Sequence, residues 1–170
     1  LMDGPSLVGV APGSVWRTKR WLEERYVDLT KQLLGESDHV VLIGGREDER
    51  LCQEIRMRAG STRVAVAAGK LSLLQSAELI RRCRVLVSND SAPMHLAVAM
   101  RTRVVAIFGS TVPEFGFAPY GEHDLIVQTN GLRCRPCSVH GGQRCPIKTF
   151  DCMVKISTEK VLETVKALTT

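Results

Sequence analysis

A chain of 170 residues with 44% hydrophobic content has the length and composition of one water-soluble globular domain with a real core. No apolar run approaches the roughly 20 residues of a membrane span. The net charge of +5 suits an anionic ligand or an anionic membrane surface, whereas 5% aromatics and the lack of a Lys/Arg block argue against nucleic acid.

Residues 1–6, Leu-Met-Asp-Gly-Pro-Ser, lack the charged and apolar regions of a signal peptide and read as a linker. A chain that opens this way and goes straight into a strand reads as a piece of a longer protein. Leu7–Ala11 is a buried strand ending in Pro12-Gly13. Leu22 to Leu34 has helical spacing and stops at Gly35. His39–Ile43 is a second strand ending in Gly44-Gly45, followed by a helix from Glu47 to Arg58. Arg63–Ala67 is a third strand. Ser72 caps a helix to about Cys83, with Leu73, Ala77 and Ile80 on its inner face. Val85–Val87 is a fourth strand, and Ala92 to Met100 a helix with Pro93 in its first turn. Arg103–Phe108 and Leu125–Val127 are further strands, and Ser157 caps a last helix to Leu168. Cys52 and Cys83, in helix-like segments, read as buried core thiols.

Strands that are apolar throughout and alternate with helices imply an α/β domain with a parallel sheet covered on both faces. The one irregular region is 109–156, rich in Gly, Pro and Cys. Ligands of such folds bind outside the carboxyl ends of the strands. Here those ends are Pro12–Ser14, Gly44–Glu47, Ala68–Leu71, Ser88–Ser91 and Gly109–Thr111, and they are expected to line one rim.

At "VSNDSAPMHLA", Asp90 or Ser91 can cap the helix, while its remaining N–H groups and dipole favour phosphate. His95, one turn past Ser91, can donate to a phosphate or contact a sugar. An ordinary cap with a satisfied histidine reads the same residues equally well. Because phosphate repels a carboxylate, Asp90 is expected to cap or to accept from sugar hydroxyls. In "APGSVWRTKRW" a glycine turn precedes Arg17, Lys19 and Arg20, which suits a diphosphate; a basic loop over packed Trp16 and Trp21 is the bland alternative. Gly69-Lys70 runs into Leu71, so it is not a Walker loop, and no G-x-G-x-x-G follows the first strand. A nucleotide or nucleotide sugar is the ligand class that remains.

Four cysteines, Cys134, Cys137, Cys145 and Cys152, fall within nineteen residues. Their spacing suits a tetrahedral thiolate site for structural zinc, with reduced thiols or disulfides as the alternatives.

Taken in order, "APGSVWRTKRW", "VSNDSAPMHLA", "FGSTVPEFGFAP" and "CRPC…CP…CM" resemble the carboxyl-terminal domain of glycosyltransferase family 9, the ADP-heptose:lipopolysaccharide heptosyltransferases, in particular the heptosyltransferase II type. The resemblance runs from about Leu7 to the end. It implies a Rossmann-like half of a two-domain GT-B fold, in which residues 7–170, with a Cys-rich loop at 131–153, hold the ADP-sugar donor. The lipopolysaccharide acceptor is received by an amino-terminal domain absent from this sequence. By motif, Lys19 matches the lysine on the donor diphosphate and stabilises the leaving group, with Ser14 beside it. Val15 departs from a second hydroxyl found in some members. Glu47 matches the reader of ribose hydroxyls, Leu71 an apolar neighbour of adenine, and Asp90, Ser91, Ala92 and His95 the loop at sugar and phosphates. Inverting transfer is implied, with no cofactor required and the general base in the missing domain. The parent enzyme is expected at the cytoplasmic face of the bacterial inner membrane, associated peripherally. Two rivals remain: a relative using another nucleotide sugar, and a non-catalytic nucleotide-binding module. A third reading is a zinc-stapled interaction domain.

Overall fold

A computed structural model describes residues 6–35 and 39–169; residues 1–5, most of the expected linker, lie outside it. Six strands form one all-parallel sheet: β1 Leu7–Ala11, β2 His39–Leu42, β3 Val64–Val66, β4 Val85–Asn89, β5 Val104–Phe108 and β6 Leu125–Gln128. Their spatial order is β3-β2-β1-β4-β5-β6, so the order reverses between β1 and β4. The helices are α1 Glu23–Gly35, α2 Glu49–Ala59, α3 Leu73–Arg81, α4 Ala92–Ala99, the short α5 Asp151–Val154 and α6 Thr158–Thr169.

Side-chain alternation along the strands divides the core in two. Val8, Val10, Val85, Val87, Val105 and Ile107 face one way, into a cluster with α1, α2 and α6. Val41, Leu86, Val104, Ala106 and Phe108 face the other way, toward α3 and α4. Each fully buried aliphatic side chain contributes about 1.5–3 kcal/mol, which is why these strands are apolar on both faces. Gly9 marks a tight spot in β1: a Cβ there would sit 2.8 Å from Leu86 Cδ1.

The expected elements form, with three adjustments. Ser72 caps α3 through a reciprocal pair of bonds with Gln75, and Ser157 Oγ accepts from Lys160 N at 3.2 Å. Leu73, expected on the inner face of α3, is instead 67% exposed, because the buried stripe starts a turn later at Ala77 and Ile80. The helix expected from Glu47 begins at Glu49, after a single 3-10 turn at Arg46–Asp48. Asp48 turns inward there, and its Oδ2 accepts from Gly45 N at 3.0 Å. The strand expected to start at Arg63 is the shorter β3, Val64–Val66.

One buried amide joins the elements at the reversal point. Asn89 has no solvent exposure. Its Oδ1 accepts from Trp21 N at 3.1 Å and from Tyr26 Oη at 2.9 Å. Its Nδ2 donates to Pro12 O at 2.8 Å and to Gly13 O at 3.3 Å. Asn89→Asp keeps the shape but turns an oxygen toward two carbonyls. We expect it to destabilise the fold by about 2–4 kcal/mol, comparably to Asn89→Ala, in urea unfolding; an Asn89→Asp protein as stable as the parent would refute this role.

Candidate functional site

The strand ends do line one rim, and two adjoining clefts open along it. The first, about 300 Å³, is lined by Ser14, Glu47, Leu71, Leu73, Ser91 and Ala92 among others. The second, about 280 Å³, is lined by Trp16, Lys19, Asp90, His95, Phe117 and His140, and shares Ser14, Val15, Ser91 and Ala92 with the first. The eight residues matched by motif, Ser14, Lys19, Glu47, Leu71, Asp90, Ser91, Ala92 and His95, therefore line these two clefts, whereas Arg17 and Arg20, read with Lys19 as cations for a diphosphate, line neither.

Glycines make room for the acidic turn. A Cβ on Gly13 would lie 2.1 Å from Asp48 Oδ1, and one on Gly44 2.7 Å from the same carboxylate. A Cβ on Gly45 would lie 2.5 Å from the Glu47 carboxylate. Asp48 thus fills the floor where the loops after β1 and β2 meet. Burial raises its carboxyl above the ordinary range, opposed by the Gly45 N–H. Arg20 Nε donates to Ser14 O at 2.6 Å and fixes the loop from the other side.

Asp90 does not cap α4. It is 4% exposed, and its Oδ2 lies 2.6 Å from Lys19 Nζ and accepts from Thr111 Oγ1 at 2.7 Å. Lys19 is itself almost buried, and a buried ammonium needs a counter-charge more than a helix needs a cap. Ser91 occupies the cap position with extended backbone, yet its side chain makes no capping bond; Ser91 Oγ donates to Asn89 O at 3.3 Å. No side chain caps the start of α4, where Pro93 has no N–H and Met94 N donates to Ser91 O at 3.1 Å, so the Ala92 N–H and the helix dipole are what the helix start offers beside an anchored lysine. That arrangement suits an anion such as a diphosphate.

The cysteine-rich segment belongs to this rim. Cys137 N donates to Ser110 O at 2.9 Å, and the Arg135 guanidinium donates to Thr111 O and Thr129 O, both at 2.6 Å. Thr18 N donates to Gly142 O at 3.0 Å, Gly142 N donates to Thr18 Oγ1 at 2.8 Å, and Gln143 Nε2 donates to Val15 O at 3.1 Å. Asn89, Asp48, Thr111, Thr18 and Ser110 were not read from the sequence as site residues. Asn89 and Thr111 do sit inside the motifs "SND" and "GST", at strand ends where polar residues interrupt apolar runs.

All six cysteines are free thiols. Burial raises the Cys137 and Cys152 thiols, and the charges of neighbouring cysteines of the segment add to the rise. Among the described residues, however, no group of three or more His, Cys, Asp or Glu side chains is placed to hold a metal ion. Burial pushes the Cys52 and Cys83 thiols up to about 12, and burial with the Cys137 charge pushes Cys152 up to about 11. A thiol of pKa 12 is about one ten-thousandth thiolate at pH 8, and the thiolate is the reactive form. We expect iodoacetamide at pH 8 to label Cys134 and Cys145 well before Cys52, Cys83 and Cys152, as read by peptide mass spectrometry. Cys52 reacting as fast as Cys134 would contradict the burial.

Comparison with known proteins brings this geometry into a family. The profile of glycosyltransferase family 9 (heptosyltransferase) matches residues 3–146. Lipooligosaccharide heptosyltransferase 2 of Campylobacter jejuni (strain 81116) is 29% identical over an alignment covering 100% of this chain and 54% of its own length. Lipopolysaccharide heptosyltransferase 2 of Salmonella typhimurium is 37% identical, covering 64% of this chain and 32% of its own. Among solved structures, the E. coli ADP-heptose lps heptosyltransferase II superposes with a TM-score of 0.81 at 28% identity, covering 99% of this chain and 47% of that one. The chain thus spans about half the length of the relatives that it matches from end to end. Among the described residues, no helix is long and apolar enough to cross a membrane.

Proposed function

Because the chain belongs to glycosyltransferase family 9, we propose that it is the donor-binding half of a heptosyltransferase that transfers heptose from ADP-heptose to the inner core of lipopolysaccharide. The observation that carries this reading is the buried Lys19–Asp90 pair at 2.6 Å in the second cleft, next to the uncapped start of α4 whose Ser91 and Ala92 line both clefts. The adenosine occupies the first cleft, with Leu71 against the base and Glu47 toward the ribose hydroxyls. The diphosphate crosses the shared stretch at Ser14, Ser91 and Ala92, and the sugar reaches the second cleft near His95. Lys19 has three donors, of which Asp90 takes one, so the others remain for phosphate oxygens.

In the proposed inverting step an acceptor hydroxyl attacks the anomeric carbon, its proton passes to a carboxylate base, and ADP departs with the bonding electrons. Charge develops on the diphosphate, where Lys19 and the positive end of the α4 dipole are already in place. No metal is assigned to this step. The acceptor and the base belong to an amino-terminal domain, and the full enzyme works at the cytoplasmic face of the inner membrane, where its acceptor is made.

Calorimetric titration with ADP, GDP and UDP tests the donor site. ADP is expected to bind selectively, and Lys19→Ala to weaken it about ten- to a hundred-fold, the worth of a charge-assisted contact. Selective binding of GDP or UDP would point to a family member with another nucleotide sugar, and no binding of any nucleotide would overturn the donor reading. Because the base lies elsewhere in this scheme, the chain alone is expected to release no heptose to a lipopolysaccharide acceptor. Measurable transfer would overturn that division of labour.

A further inference from the structure

Two further aromatic rings line the second cleft and have no part in the donor scheme above. Phe117 follows the 3-10 turn after β5, and His140 comes from the cysteine-rich segment. Their ring centroids are 6.3 Å apart, tilted by 51°. Phe117 is 40% exposed and His140 is also exposed, so their free faces look into the cleft that contains Lys19, Asp90 and His95. The segment that carries His140 is held in place. Thr18 and Gly142 exchange two hydrogen bonds, and Gly141, at φ +93°, brings backbone onto the lysine stem. A Cβ on Gly141 would lie 3.2 Å from both Lys19 Cγ and Trp16 Cβ. His140 is therefore fixed one residue from the contact with the lysine that faces the diphosphate.

We propose that His140 and Phe117 contact the transferred sugar, which makes the cysteine-rich segment the wall that reads the sugar end of the donor. This rests on the donor-site reading above. The linear order of the clefts supports it: with the nucleoside in the first and the diphosphate over the shared residues, only the sugar is left to reach the second. The chemistry fits as well. An aromatic face packs against the C–H face of a sugar ring, and an imidazole has an N–H for a hydroxyl in either protonation state.

Calorimetry with ADP and with ADP-heptose on the unaltered chain, His140→Ala and Phe117→Ala tests it. Both side chains are exposed, so neither change empties the core. The unaltered chain is expected to bind ADP-heptose more tightly than ADP. Each variant is expected to keep its ADP affinity within about two-fold and to lose about three- to ten-fold for ADP-heptose, the worth of one neutral hydrogen bond or ring contact. Equal affinity of the unaltered chain for both ligands would overturn the inference and leave the donor reading standing. So would variants that weaken both ligands alike, or neither. No binding of either ligand by the unaltered chain would overturn the donor reading, and this inference with it.

Discussion

The rim is organised by the four hydrogen bonds of Asn89. This side chain ends β4 at the point where the strand order reverses, and it reaches the loop after β1 and the start of α1 together. Every donor and acceptor of the amide has a partner, so burying it costs little, whereas an apolar residue of the same size would strand Tyr26 Oη, Trp21 N and two carbonyls. The loop it anchors carries Ser14 and leads to Lys19, while the next residue after Asn89 is the lysine's counter-charge. The position of the cation in the second cleft thus depends on one amide in the core.

The Lys19–Asp90 pair has a different character. Buried ion pairs often stabilise no better than well-packed apolar side chains, since desolvation offsets much of their attraction. Asp90 also takes a hydrogen bond from Thr111, and Lys19 lies under the backbone of Gly141, so the charges are oriented as well as paired. Orientation is what electrostatic stabilisation of a departing diphosphate demands, because donors already in place need not reorganise as charge develops. The same pairing explains why α4 starts without a side-chain cap. A capping Asp90 would compete with an anion for the start of α4, and would leave the lysine alone in the interior.

Much of this was legible in the sequence because it is local. Apolar runs closed by Pro-Gly, Gly-Gly or Ser-Asn-Asp located the strands, and Ser72 gave a helix start. Local reasoning failed where a partner is distant in sequence. Periodicity put Leu73 inside, though packing against the sheet begins at Ala77. Capping rules assigned Asp90 to the nearest helix, when its partners are Lys19 and Thr111, 71 and 21 residues away. Glu47 was named by motif, and the inward turn of Asp48 went unread because nothing in "GGRED" says which carboxylate points into the fold; the close approach of Gly13 decides it. The residues named by motif line adjoining clefts, since parallel strands deliver all their carboxyl ends to one edge.

The cysteine-rich segment, read from its spacing as a metal staple, is also tied to the rim by hydrogen bonds. Its backbone is tied to Thr18 and Ser110, and the Arg135 guanidinium donates to Thr111 O and to Gln128 Oε1 at the end of β6. These are side-chain and backbone hydrogen bonds of modest worth each, laid over a rim that the core already holds. In the proposed donor scheme the two ends of the site rest on different foundations. The first cleft, assigned to the nucleoside, is built from short loops that follow the strands, where a change is felt in the sheet. The second, assigned to the sugar, is walled in part by a long strap on which His140 is exposed. Such an exposed side chain can change without disturbing the strands, so under that scheme nucleotide recognition would stay fixed while sugar recognition is free to vary.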